Sequence, residues 1–263
     1  MTRSIMILLA ALTMGVATTV ADDKAEAHRP RYEYTADEVN SAAEEDLAFA
    51  LAPFRRAGVL NRNTPEFERV NRLFARMINV AIQQSDLARK LDWALNVHEG
   101  RLAEAYSRAG GKLVISARFL EHYRLTDAEL ALVIGHEIGH VICEHERMNL
   151  SAVWRRNASS KVAVRDAIGV LDTEPMVRAL AAPVVRLQER VADRIGLELA
   201  TETGFDPIGA LGFFDKSADE GDRDLYPHVH DTPAERKSLL LKTATSYRPI
   251  PALFRARELN CAA

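Results

Sequence analysis

Apolar positions recur at helical spacing from Ala36 to Ala57, where Val39, Ala43, Leu47, Ala50, Leu51 and Phe54 share one side of a helix that Gly58 would end. Thr64-Pro65 supplies an N-cap followed by proline at the first helical position, and Phe67, Val70, Leu73, Phe74, Met77 and Ile78 continue a second helix. Both read as scaffold. Between Leu91 and Val97, and again between Lys112 and Ser116, the pattern turns short and strand-like, with Gly110-Gly111 marking the turn before the second run. A small sheet follows from this. Thr126 and Glu129 form a capping box ahead of a strongly apolar helix that runs from Leu130 to about His145. Asn149 to Ala182 reads as one or two helices broken near Asp172 to Pro175, with no evident role. A further helix is expected from Pro183 to about Thr201, closed by Gly204 and followed by Pro207. The pattern as a whole is α+β and predominantly helical, without an internal repeat or low-complexity tract.

A chain of 263 residues with 48% apolar content is long enough for one substantial core or two small ones. Net charge is only -3, and no basic cluster exceeds pairs such as Arg55-Arg56 and Arg155-Arg156, which argues against a nucleic-acid partner. At the N-terminus Arg3 precedes an apolar run from Ile5 to about Val20, and Thr19-Val20-Ala21 ends it with small residues before Asp22-Asp23. This reads as a cleaved signal peptide over residues 1–21, a flexible lead-in over 22–35 and a single domain over 36–263. The competing reading is an uncleaved anchor, but the run is interrupted by Thr13, Thr18 and Thr19 and falls short of the ~20 apolar residues a spanning helix needs. The expected mature chain is therefore periplasmic or secreted, with no integral membrane segment. Two cysteines, Cys143 and Cys261, could form one disulfide in an oxidising compartment or remain a buried and a free thiol; spacing does not choose between them.

The chemistry concentrates in His136-Glu137-Ile138-Gly139-His140. On a helix, histidines four residues apart share a face and can reach one ion, and the intervening glutamate lies beside it as a general base for water. Burying two imidazoles in so apolar a segment would be costly without a partner. A catalytic zinc takes three protein ligands and leaves one position open, so another ligand is required. The metzincin spacing would need a glycine at 143 and a histidine at 146, where the chain has Cys143 and Glu146. Thermolysin spacing would place a glutamate near 159, where Ala158, Ser159 and Ser160 stand. Glu144 lies too far along the same helix axis to converge with both histidines. The remaining candidate is Glu189 in Glu189-Arg190-Val191-Ala192-Asp193, with Asp193 one turn on, placed to accept the outer N–H of a ligand histidine. The competing reading is a solvated acidic face, but Ala192 and Gly196 are small enough to let this helix approach Gly135 and Gly139.

The order HEIGH, ERVAD, Gly204-Phe205-Asp206-Pro207 and His230-Asp-Thr-Pro-Ala-Glu-Arg236 resembles the M48 family of gluzincin zinc metallopeptidases over most of Leu91 to Leu240. The resemblance implies a gluzincin-like α+β domain with a small sheet beside the metal helix and one Zn2+ held by His136, His140 and Glu189. It also implies Asp193 behind a ligand, His230 as donor to the oxyanion and Arg236 as its support. The implied substrates are proteins or peptides, added as a further strand along Lys112 to Ser116. Two departures stand out: Asp231 replaces the proline usual after the late histidine, and Glu104-Ala105-Tyr106 replaces an Asn-Ala-Phe element. His228 is a candidate latency ligand. The expected activity is zinc-dependent endopeptidase cleavage of exported or misfolded proteins. The alternatives are a zinc-containing chaperone or assembly factor with little proteolysis, and a structural metal site.

Overall fold

Several helices begin where a capping side chain satisfies their first free N–H groups. In the computed structural model, which describes residues 32–156, 162–173, 175–218, 231–246 and 259–261, α1 (Ala36–Arg56) starts at a reciprocal capping box between Thr35 and Glu38. Helix α2 (Pro65–Gln84) starts at Thr64, with Pro65 pre-shaping its first turn. A short 3-10 turn, Ala88–Lys90, leads to strands β1 (Ala94–His98), β2 (Ala105–Arg108) and β3 (Lys112–Ser116). Helix α3 (Ala117–Tyr123) follows directly, and α4 (Asp127–Ile142) opens with the Thr126–Glu129 capping box. The later helices are α5 (His145–Arg156), α6 (Val164–Thr173), α7 (Pro175–Glu202), α8 (Pro207–Ala210), α9 (Gly212–Ala218) and α10 (Pro233–Ser246). The chain divides into Met1–Tyr32 and a unit spanning Glu33–Ala263. The expected signal peptide and nearly all of the lead-in fall outside the described residues.

The fold is α+β and mostly helical, with one three-stranded sheet among the described residues, ordered β1-β3-β2. Strand β1 runs parallel to β3, and β2 antiparallel to it. Lys112 to Ser116 is therefore the fully buried central strand, not the edge on which a peptide could add. The correction has a simple cause: residues 105–108, each half-buried and without strong alternation, form a strand that the apolar pattern did not announce. Ser116 N–H donates to the Glu104 carbonyl, so antiparallel alternation turns the main-chain groups of Tyr106 and Arg108 inward and those of Ala105 and Ser107 outward. Strands β1 and β2 are the two edges; residues 59–61 meet the outer side of β1, and β2 is the edge beside the metal helix.

The core is built around α4, three-quarters of whose residues are buried. Helix α7 lies along it at backbone contact. A Cβ on Gly196 would fall 2.7 Å from the His136 nitrogen and 2.9 Å from the Leu132 carbonyl, and one on Gly139 would fall 3.1 Å from the Cα of Ala192. The small residues thus set the separation of the two motif-bearing helices. Helix α7 also begins eight residues earlier than expected and runs through Pro183. Proline is equally at home in a first turn, so it imitates a start signal that neighbouring packing overrides. Helix α4 ends at Ile142, earlier than expected, because Cys143 caps it and Glu144 adopts a left-handed conformation, φ 51°. Cys143 and Cys261 are disulfide-bonded, with Cα atoms 5.4 Å apart, and close the choice the sequence left open.

Candidate metal centre and cleft

His136 and His140 lie one turn apart on α4, and their Nε2 atoms face each other at 3.0 Å. Glu189 arrives from α7 with Oε2 3.3 Å from His136 Nε2 and Oε1 3.2 Å from His140 Nε2. One donor atom from each of the three lies within 4.8 Å of the others. Two imidazole lone pairs at such a distance repel unless a proton or cation lies between them. Zinc–nitrogen bonds of about 2.0–2.1 Å in tetrahedral geometry place adjacent donors about 3.3 Å apart, close to the observed separations. The donor set fits a divalent ion.

Each donor has an orienting partner. Asp193, almost wholly buried, accepts from His136 Nδ1 at 2.9 Å. A carboxylate only accepts, so Nδ1 carries a hydrogen and Nε2 is the ring nitrogen turned to the cluster, the one that would face an ion. Arg236 in turn donates twice to Asp193, Nε to Oδ2 at 2.8 Å and Nη2 to Oδ1 at 2.6 Å, while its guanidinium lies over the Phe214 ring. Burial alone would raise the Asp193 pKa, but Arg236 and His136 overturn this and hold it below the usual carboxylate range. Burial likewise disfavours a charged His136, yet hydrogen bonds to Asp193 and Glu189 raise its pKa to about 10 in the metal-free protein. Burial also opposes the charge on Arg236, and Asp193 outweighs it.

Two further residues were not singled out from the sequence. His145 is buried, with Nδ1 3.0 Å from His140 Nδ1. Burial, then the proximity of His140, pushes its pKa down to about 3, so it is neutral and free to accept from His140. Histidines five apart do not share a face of a continuous helix; the break at Cys143 and Glu144 swings His145 back, which is why spacing hides it. Ser107 on β2 donates its hydroxyl hydrogen to Glu137 Oε2 at 2.9 Å, fixing the carboxylate between the sheet edge and the cluster.

Of the residues expected from sequence, the structure thus brings His136, Glu137, His140, Glu189, Asp193 and Arg236 together. His228 and His230 lie outside the described residues. Asp231, in place of the usual proline, is gripped by Arg190 through bonds of 2.6 and 3.1 Å. Arg190 draws the Asp231 carboxyl below its usual range.

The cluster opens into a cleft of about 590 Å³. Strand β2 meets helix α4 where Ser107 bonds Glu137; beyond the end of α4, Arg108 and the Ala109 N–H both bond Glu146 of α5.

A metal-binding helix crossed by a second, carboxylate-bearing helix beside a sheet edge defines the class, an HExxH-type metallopeptidase domain. The profile of Peptidase family M48 matches residues 66–245, more than half of the chain, and the protein belongs to that family. Similar proteins include the mitochondrial metalloendopeptidase OMA1 of Arabidopsis thaliana, 29% identical over 57% of this chain and 31% of that protein. The beta-barrel assembly-enhancing protease of Yersinia pestis is 28% identical over 56% of this chain and 33% of its own length. Metalloprotease LoiP of Escherichia coli is 28% identical over 53% and 58% respectively. The chain thus matches between about a third and three-fifths of the length of these relatives. No helix among the described residues is long and apolar enough to cross a membrane.

Proposed function

We propose that the protein is a zinc-dependent endopeptidase in which His136, His140 and Glu189 hold one Zn2+ and Glu137 is the general base. The observation that carries this is the convergence of two imidazoles and a carboxylate from two helices, next to a glutamate that takes no part in the trio. Bound there, zinc supplies Lewis-acid chemistry, acidifying water and polarising a carbonyl.

The protein's own groups do the rest. An extended peptide pairs with the outward N–H and C=O groups of Ala105 and Ser107, which brings its backbone alongside α4. Glu137 takes a proton from the attacking water and passes it to the leaving amine; Ser107 keeps its carboxylate aimed. Asp193, clamped by Arg236, fixes the His136 ring, and His145 does the same for His140. His230 is assigned as the donor to the developing oxyanion, on the strength of its motif alone, with Arg236 beside the site as support. We assign exported or misfolded proteins as substrates and a periplasmic or secreted location on the strength of the N-terminal apolar run. The relatives' names are of proteases, which favours cleavage over a chaperone role.

The test is casein proteolysis by the zinc-loaded protein and its Glu137→Gln variant. Loss of about 10²–10⁴-fold in rate with zinc content unchanged is expected. Equal activity in the two would refute the assignment.

A further inference from the structure

Helix α5 links the two sides of the cleft at one end. At its start Glu146 accepts from Arg108 and the Ala109 N–H, at the end of β2, and His145 rests against His140. One turn later Asn149 reaches α7, where its Oδ1 accepts from Gln188 Nε2 at 3.0 Å. Asn149 lines the cleft, as do Val185 and Glu189 on the adjoining turn of α7. Gln188 is 4% exposed, and its side-chain oxygen is buried with no partner among the described residues. The converse orientation of the two amides would meet that oxygen but bury the Gln188 NH2 without an acceptor, and folded proteins carry an unmet carbonyl more readily than an unmet N–H. Gln188 therefore fixes which way Asn149 points. The Asn149 oxygen is taken, and its amide hydrogens, which have no acceptor among the described residues, are what it offers to the cleft.

Resting on the endopeptidase reading, we propose that Asn149, oriented by Gln188, donates to a main-chain carbonyl of the bound peptide about two to three residues N-terminal of the cleaved bond. Asn149 is then a peptide-binding residue and Gln188 a positioning residue. The side follows from β2. Antiparallel pairing is the more stable arrangement, and a peptide antiparallel to β2 begins at the Arg108 end, where Glu146 ties α5 to the strand. Its N-terminal portion is the part that passes α5. The distance follows from the helix: His145 lies against His140, and Asn149 stands about 5–6 Å further along the same face of α5. An extended chain advances about 3.3 Å per residue, so the carbonyl within reach belongs to a residue about two to three before the cut. Every residue of a substrate carries such a carbonyl. The contact therefore adds affinity for extended chain without selecting side chains, and one neutral hydrogen bond is worth roughly threefold to tenfold in binding.

The test measures hydroxamate binding to the zinc-loaded wild type, Asn149→Asp and the double variant Asn149→Leu/Gln188→Leu. Asn149→Asp keeps an acceptor for Gln188 and removes the donor; the double variant removes the whole pair, orphaned carbonyl included. Acetyl-tetraalanine hydroxamate, which extends N-terminally from the metal, should bind both variants roughly threefold to tenfold more weakly. Acetohydroxamate, too short to reach Asn149, and a succinyl hydroxamate of trialanine, which extends C-terminally, should bind them as they bind the wild type. Urea unfolding should find the double variant no less stable than the wild type, because both partners of a bond give way to apolar groups of similar size. A merely structural pair would instead lose stability and weaken all three probes together. Unchanged affinity for the acetyl-tetraalanine probe, equal losses for all three, or a loss confined to the succinyl probe would overturn the proposal. The expected pattern in a protein that cleaves no peptide would instead remove the endopeptidase reading and leave Asn149 as a peptide-binding residue.

Discussion

Asp193 and Arg236 are a buried charge pair whose coupling can be measured apart from catalysis. Asp193→Asn leaves the Arg236 guanidinium with Glu189, 4.0 Å away, as its nearest counter-charge, and Arg236→Gln leaves the carboxylate with only the His136 N–H. Breaking a buried pair from one side costs about 3–5 kcal/mol, because the surviving charge stays desolvated. For a domain of this size that corresponds to a fall in Tm of roughly 6–20 °C. In the double variant two amides replace the pair and neither member's charge is left facing a neutral partner, so its loss should fall short of the sum of the singles by more than about 2 kcal/mol. The assay is urea unfolding of the metal-free proteins at pH 7, with chelator competition to read zinc affinity in parallel. Zinc affinity should drop about 10–100-fold in Asp193→Asn and should not recover in the double variant, since the carboxylate behind His136 is still missing. Because the folded pKa of Asp193 is lowered, the contribution of the pair is complete above the unfolded value of about 3.9 and disappears as pH falls toward the folded one. Strict additivity of the two substitutions, or single losses below about 1 kcal/mol, would refute the reasoning.

Three other outcomes are expected. Gly196→Ala drives a methyl into the His136 nitrogen and the Leu132 carbonyl, so it should cost several kcal/mol in chemical unfolding, of order 3, and weaken zinc binding by separating the donors; a variant of wild-type stability and affinity contradicts the contact. Cys143→Ser/Cys261→Ser opens a cross-link between residues 118 apart and should lower stability by about 2–5 kcal/mol, read as a drop in Tm that reduction of the wild type reproduces. His136, with its pKa raised to about 10, holds a proton in the metal-free protein at neutral pH. That protonation stabilises the metal-free fold fully below the unfolded value of about 6.5 and is lost as pH rises through about 10. Zinc binding should therefore release about one proton, with affinity rising roughly tenfold per pH unit from pH 7 to 9; calorimetry in buffers of different ionisation enthalpy would show it, and a flat profile would exclude it.

What the sequence determined by itself was whatever depends on neighbours within a turn or two. The capping boxes at Thr35 and Thr126, the proline start at Pro65, the apolar stripe of α2 and the pairing of His136 with His140 on one face all follow from spacing. Even the meeting of α4 with α7 was visible in the small residues Gly135, Gly139, Ala192 and Gly196. The tertiary structure decided what depends on a change of chain direction. The break after Cys143 turns His145 onto His140; a weakly patterned segment becomes the edge strand β2 and displaces Lys112–Ser116 to the centre. The Cys143–Cys261 bond, the grip of Arg236 on Asp193 and the hold of Ser107 on Glu137 join residues 118, 43 and 30 positions apart. Periodicity carries no information about such pairs, because it records which way a side chain faces along its own element and not what that face will meet.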